Sequence, residues 1–303
     1  MTKSTARIGI ATAAIGTLAL GLLAGCASGG DSGGDGDGGS EGMTTLEKAQ
    51  EEGTITLAVA SEQPYSWVED GEATGATIAM HKEIFSNLGI DDLKIEEVDW
   101  NSLIPGLNAG RWDVVSAGMS ILPERCEEAA FSDPEIMYTT ALVVPTGNPK
   151  DLSDLDSIAA GDGDVTLAVQ SGAIEEGYAT DLGIAGVVPV DSAQAGIEIV
   201  QSGRADAFAL TAVSMNWMTE DLDDVETTDA FVQEIDGVEQ IGAGGTVFRQ
   251  EDTDLLEAYN AELAKITADE GAYLGLVEEF GFTAENLPPA DLTTEQLCSG
   301  ELG

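Results

Sequence analysis

Short hydrophobic runs alternate with longer segments of helical periodicity from Ile55 onward. A first set of predicted elements comprises strands at 55–60, 93–100 and 113–118 and helices at 78–89, at 103–109 and from Pro123. A second set comprises strands at 165–170, 187–190 and 207–210 and helices from Ile174 and at 193–202. Repeated strand–helix–strand units predict an α/β protein with two mostly parallel sheets that carry helices on both faces.

Two strand-like segments connect these sets and predict where the chain crosses between two lobes. The segment 141–147 leaves the first set, and the segment 244–248 returns to it before a final amphipathic helix. The predicted domains are a first lobe at 43–143 and 247–303 and a second lobe at 144–246. Two crossings form a two-strand hinge, and a cleft between hinged lobes is a common site for a small ligand.

The N-terminal segment has the features of a secretory signal. Basic residues precede an apolar run at 8–24. This run is too short and too rich in Ala and Gly to be a comfortable membrane span. It ends in the tetrapeptide LAGC, which resembles a bacterial lipobox. The resemblance implies a signal peptide at 1–25, a lipid anchor on Cys26 and an extracytoplasmic location at the cell membrane. An ordinary signal peptide with an incidental cysteine, or an uncleaved anchor, is the alternative.

Composition narrows the choice of partners. Residues 26–42 are almost entirely Gly, Ser and Asp, which predicts a flexible tether. The chain holds 56 acidic and 11 basic residues and carries a formal net charge of −45. Such a charge excludes a general affinity for nucleic acid or for anionic lipid. It suits a surface that stays hydrated at high salt, where self-repulsion is screened.

Cysteine and histidine usage indicates a disulfide and no metal. With Cys26 lipidated, Cys126 and Cys298 are an even pair in an oxidising compartment, so we predict a disulfide between them. Two unpaired buried thiols are the alternative. No cluster of His and Cys suggests a metal, and we expect no cofactor. His81 is the only histidine, and its amphipathic helix predicts a surface position.

Ligands of such sheets bind beyond the carboxyl ends of the strands, where four loops of this chain fall. The candidate residues of these loops are Glu62 and Tyr65, then Trp100, then Gly118, Met119 and Ser120, and lastly Gly172, Ala173 and Ile174. Arg125 follows the third loop, and its planar fork matches a carboxylate. The last loop enters a helix whose free N–H groups favour an anion. A surface ion pair with Glu124 or Glu128 is the alternative for Arg125.

The stretch WNSLIPGLNAGRWDVVSAGMSILPERCEEAAFSDP at 100–134 carries a family resemblance. It resembles the first lobe of the polar amino-acid type of solute-binding protein, the soluble receptors of bacterial ABC importers. The resemblance extends from Ile55 to Cys298. It implies a two-lobed, periplasmic-binding-protein-like fold of type II, a receptor rather than an enzyme, and permease and ATPase subunits as partners. We expect a monomer.

The same resemblance implies roles for the candidate residues. Arg125 holds the carboxylate of a small zwitterionic ligand, and the amides of the 172–174 turn complete that site from the second lobe. Tyr65 and Trp100 stack on the ligand, and Glu62 faces the cleft. Core packing of the two aromatics and a solvated position of Glu62 are the alternatives.

One departure from the resembled family bears on the ligand. Amino-acid receptors typically end the segment GRADAFALT with an aspartate for the α-ammonium group, and here that position is Thr211. The missing charged partner is worth about 1.5–3 kcal/mol. Ectoine and hydroxyectoine, which are cyclic zwitterions with an amidinium, fit this change. The segments SGAIEEGYA and TTEQLC also resemble ectoine receptors, in which Glu62 would accept from the amidinium and Thr211 would add a neutral contact.

Ser120 argues against that assignment, because the resembled ectoine receptors have a third aromatic at this position. Two aromatic side chains would then suffice to hold the ligand, or Met119 would occupy the place of the third aromatic. The alternatives to an ectoine receptor are a receptor for a polar or cationic amino acid, and an enzyme similar to cyclohexadienyl dehydratase with Glu62 as its acid. A sensor that presents its closed form to a membrane kinase or chemoreceptor is a further alternative.

Overall fold

The structure is a computed structural model, and it describes residues 42–161 and 163–300. The predicted signal peptide at 1–25, the lipidation site Cys26 and nearly all of the predicted tether at 26–42 lie outside the described residues. The described part of the chain is one compact unit.

Strands and helices alternate through this unit, largely as the hydrophobic pattern predicts. The strands are β1 (Thr54–Val59), β2 (Trp67–Glu69), β3 (Glu72–Thr74), β4 (Asp92–Glu97), β5 (Val114–Ser120), β6 (Ala130–Phe131), β7 (Ile136–Tyr138), β8 (Thr140–Pro145), β9 (Leu167–Gln170), β10 (Val187–Val190), β11 (Ala207–Thr211), β12 (Val225–Thr227), β13 (Glu234–Ile235), β14 (Val238–Glu239) and β15 (Gly242–Phe248). The helices are α1 (Thr45–Glu52), α2 (Ala76–Asn87), α3 (Leu103–Asn108), α4 (Pro123–Cys126), α5 (Leu155–Ala159), α6 (Ile174–Asp181), α7 (Ala193–Gln201), α8 (Ala212–Thr219), α9 (Thr253–Thr267), α10 (Glu270–Val277) and α11 (Thr294–Ser299).

The first sheet combines parallel and antiparallel strands in the order β4-β1-β5-β15-β6, with β7 also paired to β15. Strands β4, β1 and β5 run parallel, as the strand–helix–strand pattern predicts. Strand β15 runs antiparallel to β5 because it arrives directly from the second lobe rather than through a helical crossover. The carboxyl ends of β1 and β5 therefore lie at one edge, beside the start of β15.

The second sheet repeats this arrangement in the order β10-β9-β11-β8-β12. Strands β10, β9 and β11 are parallel, while β8 and β12 are antiparallel to their neighbours. Every residue of β9 and β11 is buried, as expected for strands covered on both faces by helices. The fold is thus two-lobed and α/β, with each parallel set extended by antiparallel strands next to the crossings.

The crossings between the lobes fall slightly upstream of the predicted boundaries. Strand β8 lies entirely in the second sheet, so the first crossing is at Thr139 rather than at 143. Strand β15 lies entirely in the first sheet, so the return occurs before Gly242 rather than at 246. The hydrophobic runs predicted the strands, but only their pairing assigns each strand to a sheet.

His81 lies in the core and not at the surface, so the predicted surface position is wrong. Its side chain is fully buried, and Nε2 forms a hydrogen bond of 2.7 Å with the hydroxyl of Thr246 on β15. The ring also packs against Phe85 and Tyr259. Helix α9 covers the face of α2 that the amphipathic pattern left polar. Burial lowers the pKa of His81 to about 3, which keeps the imidazole neutral.

Cys126 and Cys298 are joined by a disulfide, with their Cα atoms 5.7 Å apart. The bond connects α4 with α11 and so ties the C-terminal segment to the first lobe. Arg125 directly precedes Cys126, and the disulfide therefore anchors the short helix that carries this arginine. Among the helices within 42–161 and 163–300, none has the length and hydrophobicity to cross a membrane.

Candidate functional site

A small cavity lies between the two lobes at the carboxyl ends of their parallel strands. We call it the central cavity, and its lining comprises Glu62, Tyr65, Trp100, Ala117, Gly118, Ser120, Tyr138, Gln170, Ala173, Ile174, Glu175, Leu210 and Thr211. Its volume is about 20 Å³, little more than one water molecule requires. Side chains of the two lobes meet across it, so a larger solute enters only when the lobes move apart.

Glu62 reaches from the first lobe to hydroxyl groups of the second. Its backbone carbonyl accepts from the N–H groups of Tyr65 and Ser66, which folds the loop after β1 into a turn and directs the side chain inward. The carboxyl oxygen Oε1 accepts from the hydroxyl of Ser214 at 2.8 Å and, at a longer 3.4 Å, from that of Thr211. Burial raises the pKa of Glu62 to about 7, so both protonation states are populated at neutral pH.

Tyr65 forms a buried wall of the central cavity. Its ring packs edge-on against Tyr138 and Phe282, with centroid distances of 6.3 Å and 5.3 Å. The ring also lies against the backbone of Gly118, where a Cβ atom would sit 2.4 Å from it and where φ is +55°. Glycine is required at 118 on both grounds. The hydroxyl of Tyr65 is buried and has no hydrogen-bond partner among the described residues.

Tyr138 is a third aromatic of the cavity, and sequence reasoning missed it. Its hydroxyl donates to Oγ of Ser120 at 2.6 Å, so the serine on β5 supports an aromatic side chain from β7. Met119 does not fill the gap. Side chains alternate along β5, so Met119 points away from the cavity and is buried in the core of the first lobe. The expected role of Met119 at the ligand is therefore wrong.

Arg125 stands beside the central cavity and bridges the lobes. Nη1 donates to the carbonyl of Ser120 at 2.9 Å, and Nη2 donates to the carbonyl of Gly172 at 2.7 Å. The indole N–H of Trp100 donates to the same Gly172 carbonyl at 3.1 Å, and the guanidinium lies 5.6 Å from the Trp100 ring. Neither of the acidic residues proposed as a surface partner forms an ion pair with Arg125 in the described ranges.

Arg125 and Gly172 line an adjoining cavity rather than the central one. This adjoining cavity shares Ser120, Ala173 and Ile174 with the central cavity. The shared residues make the two spaces neighbours, with the guanidinium on one side and the carboxyl group of Glu62 on the other.

The turn at 172–174 presents the carbonyl of Gly172 to the first lobe. Gly172 N–H donates to Oε2 of Glu176 at 2.8 Å, and Ala173 N–H donates to the carbonyl of Gln170 at 3.1 Å. These two groups of the predicted anion site are thus already satisfied within the second lobe. Gly172 adopts φ of +79°, and a Cβ atom there would lie 2.5 Å from Oδ1 of Asn101. Close approach of the lobes therefore requires glycine.

Two further polar side chains of the second lobe enter the central cavity. Glu175 and Gln170 are buried, and one oxygen of each, Oε2 and Oε1, has no hydrogen-bond partner among the described residues. Burial raises the pKa of Glu175 to about 7, and the nearby charge of Glu62 acts in the same direction. Glu175 directly follows the predicted turn, and Gln170 and Leu210 end predicted strands, so a sequence signal existed for each. No such signal marked Ala117.

The site contains acceptors, hydroxyl groups and aromatic rings, but no arrangement for a metal. Across 42–161 and 163–300, no group of three or more His, Cys, Asp or Glu side chains lies close enough to hold an ion. The arrangement can bind a small molecule that carries a carboxylate, a cationic N–H group and a flat face.

Comparison with known proteins agrees with this geometry. A profile described as bacterial extracellular solute-binding proteins, family 3, matches residues 55–281. A probable amino-acid ABC transporter periplasmic-binding protein of Sinorhizobium fredii is 32% identical over 268 residues, which is 85% of this chain and 87% of the relative.

Solved structures are similar to this protein over most of its chain. EhuB in complex with hydroxyectoine matches with a TM-score of 0.74 at 32% identity, over 84% of this chain and 97% of EhuB. The ancestral amino acid-binding protein AncCDT-1, described as a precursor of cyclohexadienyl dehydratase, matches with a TM-score of 0.69 at 26% identity, over 78% of this chain and 99% of that one. The chain therefore belongs to family 3 of the bacterial extracellular solute-binding proteins.

Proposed function

We propose that this protein is the solute-binding subunit of an ABC importer and that it captures ectoine or hydroxyectoine between its lobes. The observation that carries the proposal is the central cavity, where three aromatic rings and two buried carboxyl groups surround one small space beside a guanidinium. We further propose a lipid anchor on Cys26, a location outside the cytoplasmic membrane, a monomer, and permease and ATPase subunits as partners.

The two ends of a zwitterion match the two ends of the site. Glu62 accepts N–H bonds from the amidinium, and the hydroxyls of Ser214 and Thr211 hold the glutamate in place. Arg125 takes the carboxylate by exchanging the Gly172 carbonyl for a charged acceptor, which strengthens the hydrogen bond. The rings of Tyr65, Trp100 and Tyr138 pack on the flat ring of the ligand.

The proposed ligand-binding groups are divided between the two lobes, so a bound ligand can hold the lobes together. Glu62, Tyr65, Trp100 and Arg125 belong to the first lobe, whereas Thr211 and the 172–174 turn belong to the second. A ligand that contacts both lobes favours the closed arrangement by its differential affinity for it. The closed protein is then the form that the importer receives.

Ectoine is favoured over an ordinary α-amino acid by the neutral Thr211 and by the similarity to EhuB. A receptor for a polar or cationic amino acid is the second candidate, and the name of the Sinorhizobium fredii relative favours it. An enzyme similar to cyclohexadienyl dehydratase has one observation in its favour, the raised pKa of Glu62, which would suit a general acid. Recovery of prephenate and arogenate unchanged after incubation with the protein would remove this candidate.

A thermal-shift screen of the chain without residues 1–25 tests the ligand. The panel comprises ectoine, hydroxyectoine, glycine betaine, proline, arginine, glutamine and histidine. A ligand at a hundred times its dissociation constant adds about 2.7 kcal/mol to the free energy of unfolding. We expect ectoine and hydroxyectoine to give the largest shifts. A shift with an amino acid and none with ectoine would instead support the second candidate.

Anchoring and transport need separate measurements in cells. Cys26→Ser should release the protein from the membrane fraction, because position 26 then has no thiol to which the lipid can be attached. Deletion of the chain should abolish ectoine uptake if the protein feeds an importer. Normal uptake combined with a lost transcriptional or chemotactic response to ectoine would indicate a sensor.

A further inference from the structure

Helix α8 carries apolar side chains on two faces, and one of these faces is turned away from its own lobe. Ala212 and Met215 belong to the core of the second lobe. Val213 packs instead against the core cluster around α2 and α9 in the first lobe, and Ser214 donates to a carboxyl group of that lobe. Trp217 follows these two residues by four and three positions, so it occupies the same face of α8. Helix α8 therefore presents this face to the opposite lobe.

Trp217 meets the first lobe through an aromatic cluster. Its ring centroid lies 6.1 Å from that of Trp67 on β2, with the ring planes at 54° to each other. We call this pair the tryptophan contact. Trp67 in turn packs edge-on against Phe280 at 6.0 Å. A Cβ atom at the next residue, Gly281, would lie 3.7 Å from Cε3 of Trp217. The indole of Trp217 thus lies against two separate segments of the first lobe.

The tryptophan contact removes apolar surface from water only while the lobes are together. Trp67 is buried, with 8% of its surface exposed, and Trp217 is half-buried. The two residues belong to different lobes, because β2 pairs with β3 beside α2 while α8 packs on β8, β11 and β12. Separation of the lobes therefore exposes the facing sides of both rings. Burial and ring packing both favour the arrangement in which the rings touch.

The tryptophan contact lies outside the ligand site. Trp67, Trp217 and Phe280 are not among the described residues that line the central cavity. The interlobe hydrogen bond from Arg125 to Gly172, in contrast, lies where the ligand carboxylate is proposed to bind. A ligand would displace that hydrogen bond but would leave the two indole rings in place. The tryptophan contact can therefore form both with and without a solute.

The indole N–H of Trp67 limits the strength of the contact. It is buried and has no acceptor among the described residues. A buried donor without an acceptor is unfavourable, and separation of the lobes admits water to this side chain. The tryptophan contact therefore favours closure without holding the lobes together permanently.

We propose that Trp67 and Trp217 form an interlobe contact that stabilises the closed arrangement without touching the solute. The contact raises the closed population of the ligand-free protein. It also slows solute release, because release requires the two rings to separate. It does not speed capture, since a solute enters while the lobes are apart. This inference concerns the motion of the lobes and holds for whichever small solute the cleft binds.

Small-angle X-ray scattering of the ligand-free protein and release of radiolabelled ectoine test the inference. The variants are Trp217→Leu, Trp67→Leu and the double variant. Asn216→Ala, an exposed change on α8, is the matched control. Release is followed after dilution into excess unlabelled ectoine, and the dissociation constant from calorimetry then gives the association rate. Urea unfolding measures the stability of each variant.

Trp217→Leu should increase the radius of gyration of the ligand-free protein. It should release ectoine about fivefold faster, which is the scale of one aromatic pair. Its association rate should be no lower than that of the wild type, because the rings are already apart in the form that the solute enters. The double variant should release ectoine at most about twofold faster than the faster single variant, because the loss of either ring removes the contact. Asn216→Ala should match the wild type in every measurement.

Equal radii of gyration for the ligand-free wild type and Trp217→Leu, or equal release rates, would overturn the closure role. A lower free energy of unfolding with neither change would show that Trp217 only supports α8. Single effects that multiply in the double variant would show that the two rings act independently, and this also would overturn the proposal. Absence of ectoine binding would contradict the proposed ligand, while scattering from the ligand-free proteins would still decide the closure role.

Discussion

Nη2 of Arg125 in the first lobe donates a hydrogen bond of 2.7 Å to the carbonyl oxygen of Gly172 in the second lobe. The indole N–H of Trp100 donates to the same oxygen. The lobes thus meet through a neutral acceptor at the place proposed for the ligand carboxylate. A ligand carboxylate would compete with this carbonyl for Arg125, and opening the cleft requires that the hydrogen bond between Arg125 and Gly172 be broken.

Gly172→Ala should weaken ligand binding by obstructing closure. The added Cβ would lie 2.5 Å from Oδ1 of Asn101, and the backbone has a positive φ that L-residues rarely adopt. We expect at least a tenfold loss of ectoine affinity in calorimetry and a larger radius of gyration with saturating ligand. Gly177→Ala is the control, because a Cβ atom at this α6 position meets nothing within 4 Å. Equal losses in both variants would contradict the closure argument.

Tyr138 should act through its ring more than through its hydroxyl. Tyr138→Phe removes the 2.6 Å hydrogen bond to Ser120, which should reduce stability by about 1 kcal/mol and affinity by less than about threefold. Tyr138→Ala removes the ring and should reduce affinity at least tenfold. Circular dichroism identifies the folded fraction before each calorimetric titration. If the alanine variant binds ectoine as well as the phenylalanine variant does, Tyr138 is not part of the aromatic clasp.

The stability of the ligand-free protein should depend on the ionisation of Glu62. The pKa of this group is raised from 4.5 to about 7, so the native state holds its proton more tightly than the unfolded chain does. The contribution is fully present below pH 4.5 and is lost as the pH rises through 7, amounting to up to about 3 kcal/mol. Glu62→Gln should flatten this part of the pH dependence measured by urea unfolding, while Glu198→Gln, an exposed change on α7, should keep the wild-type slope. Parallel curves for the wild type and Glu62→Gln would refute the buried position of Glu62.

Loss of the disulfide should reduce both stability and affinity. Replacing Cys126 and Cys298 by serine releases a link that spans 172 residues, which should lower the free energy of unfolding by about 2–5 kcal/mol. Helix α4 would no longer be fastened to α11, so Arg125 would be less well positioned. Urea unfolding and ectoine titration with and without dithiothreitol measure the two effects. A reductant effect on the serine variant would point to a cause other than this bond.

Local patterns predicted most elements but not their long-range neighbours. The strand at 187–190 has the predicted bounds, because a run of β-branched residues between turn residues is too short for a helix. The pattern of α2 alone predicts a surface position for His81, because the packing of α9 over α2 depends on residues far away in the chain. The observed crossings differ from the predicted ones because a hydrophobic run does not identify the sheet that it joins.

The candidate site was predictable where a side chain follows from its position on a strand or a turn. Glu62, Tyr65 and Trp100 line the central cavity, as expected from their positions at strand ends. Thr211 also lines it, a position that the family resemblance implies. The direction of Met119 follows from the alternation of Gly118 and Ser120 along β5, and the sequence contained that information. The positions of Tyr138 and Glu175 could not be derived in this way. Tyr138 reaches the cavity because β7 pairs with β15, and Glu175 does so because its lobe lies against the other.

The proposed role of Arg125 is tested by calorimetric titration of ectoine into the wild type and into Arg125→Ala. We expect one ectoine bound per wild-type chain and at least a hundredfold weaker binding by Arg125→Ala, because the carboxylate loses its cationic partner. Thermal unfolding of the ligand-free variant shows whether its fold is intact. Unchanged ectoine affinity in a folded Arg125→Ala variant, or absence of ectoine binding by the wild type, would rule out ectoine capture through Arg125.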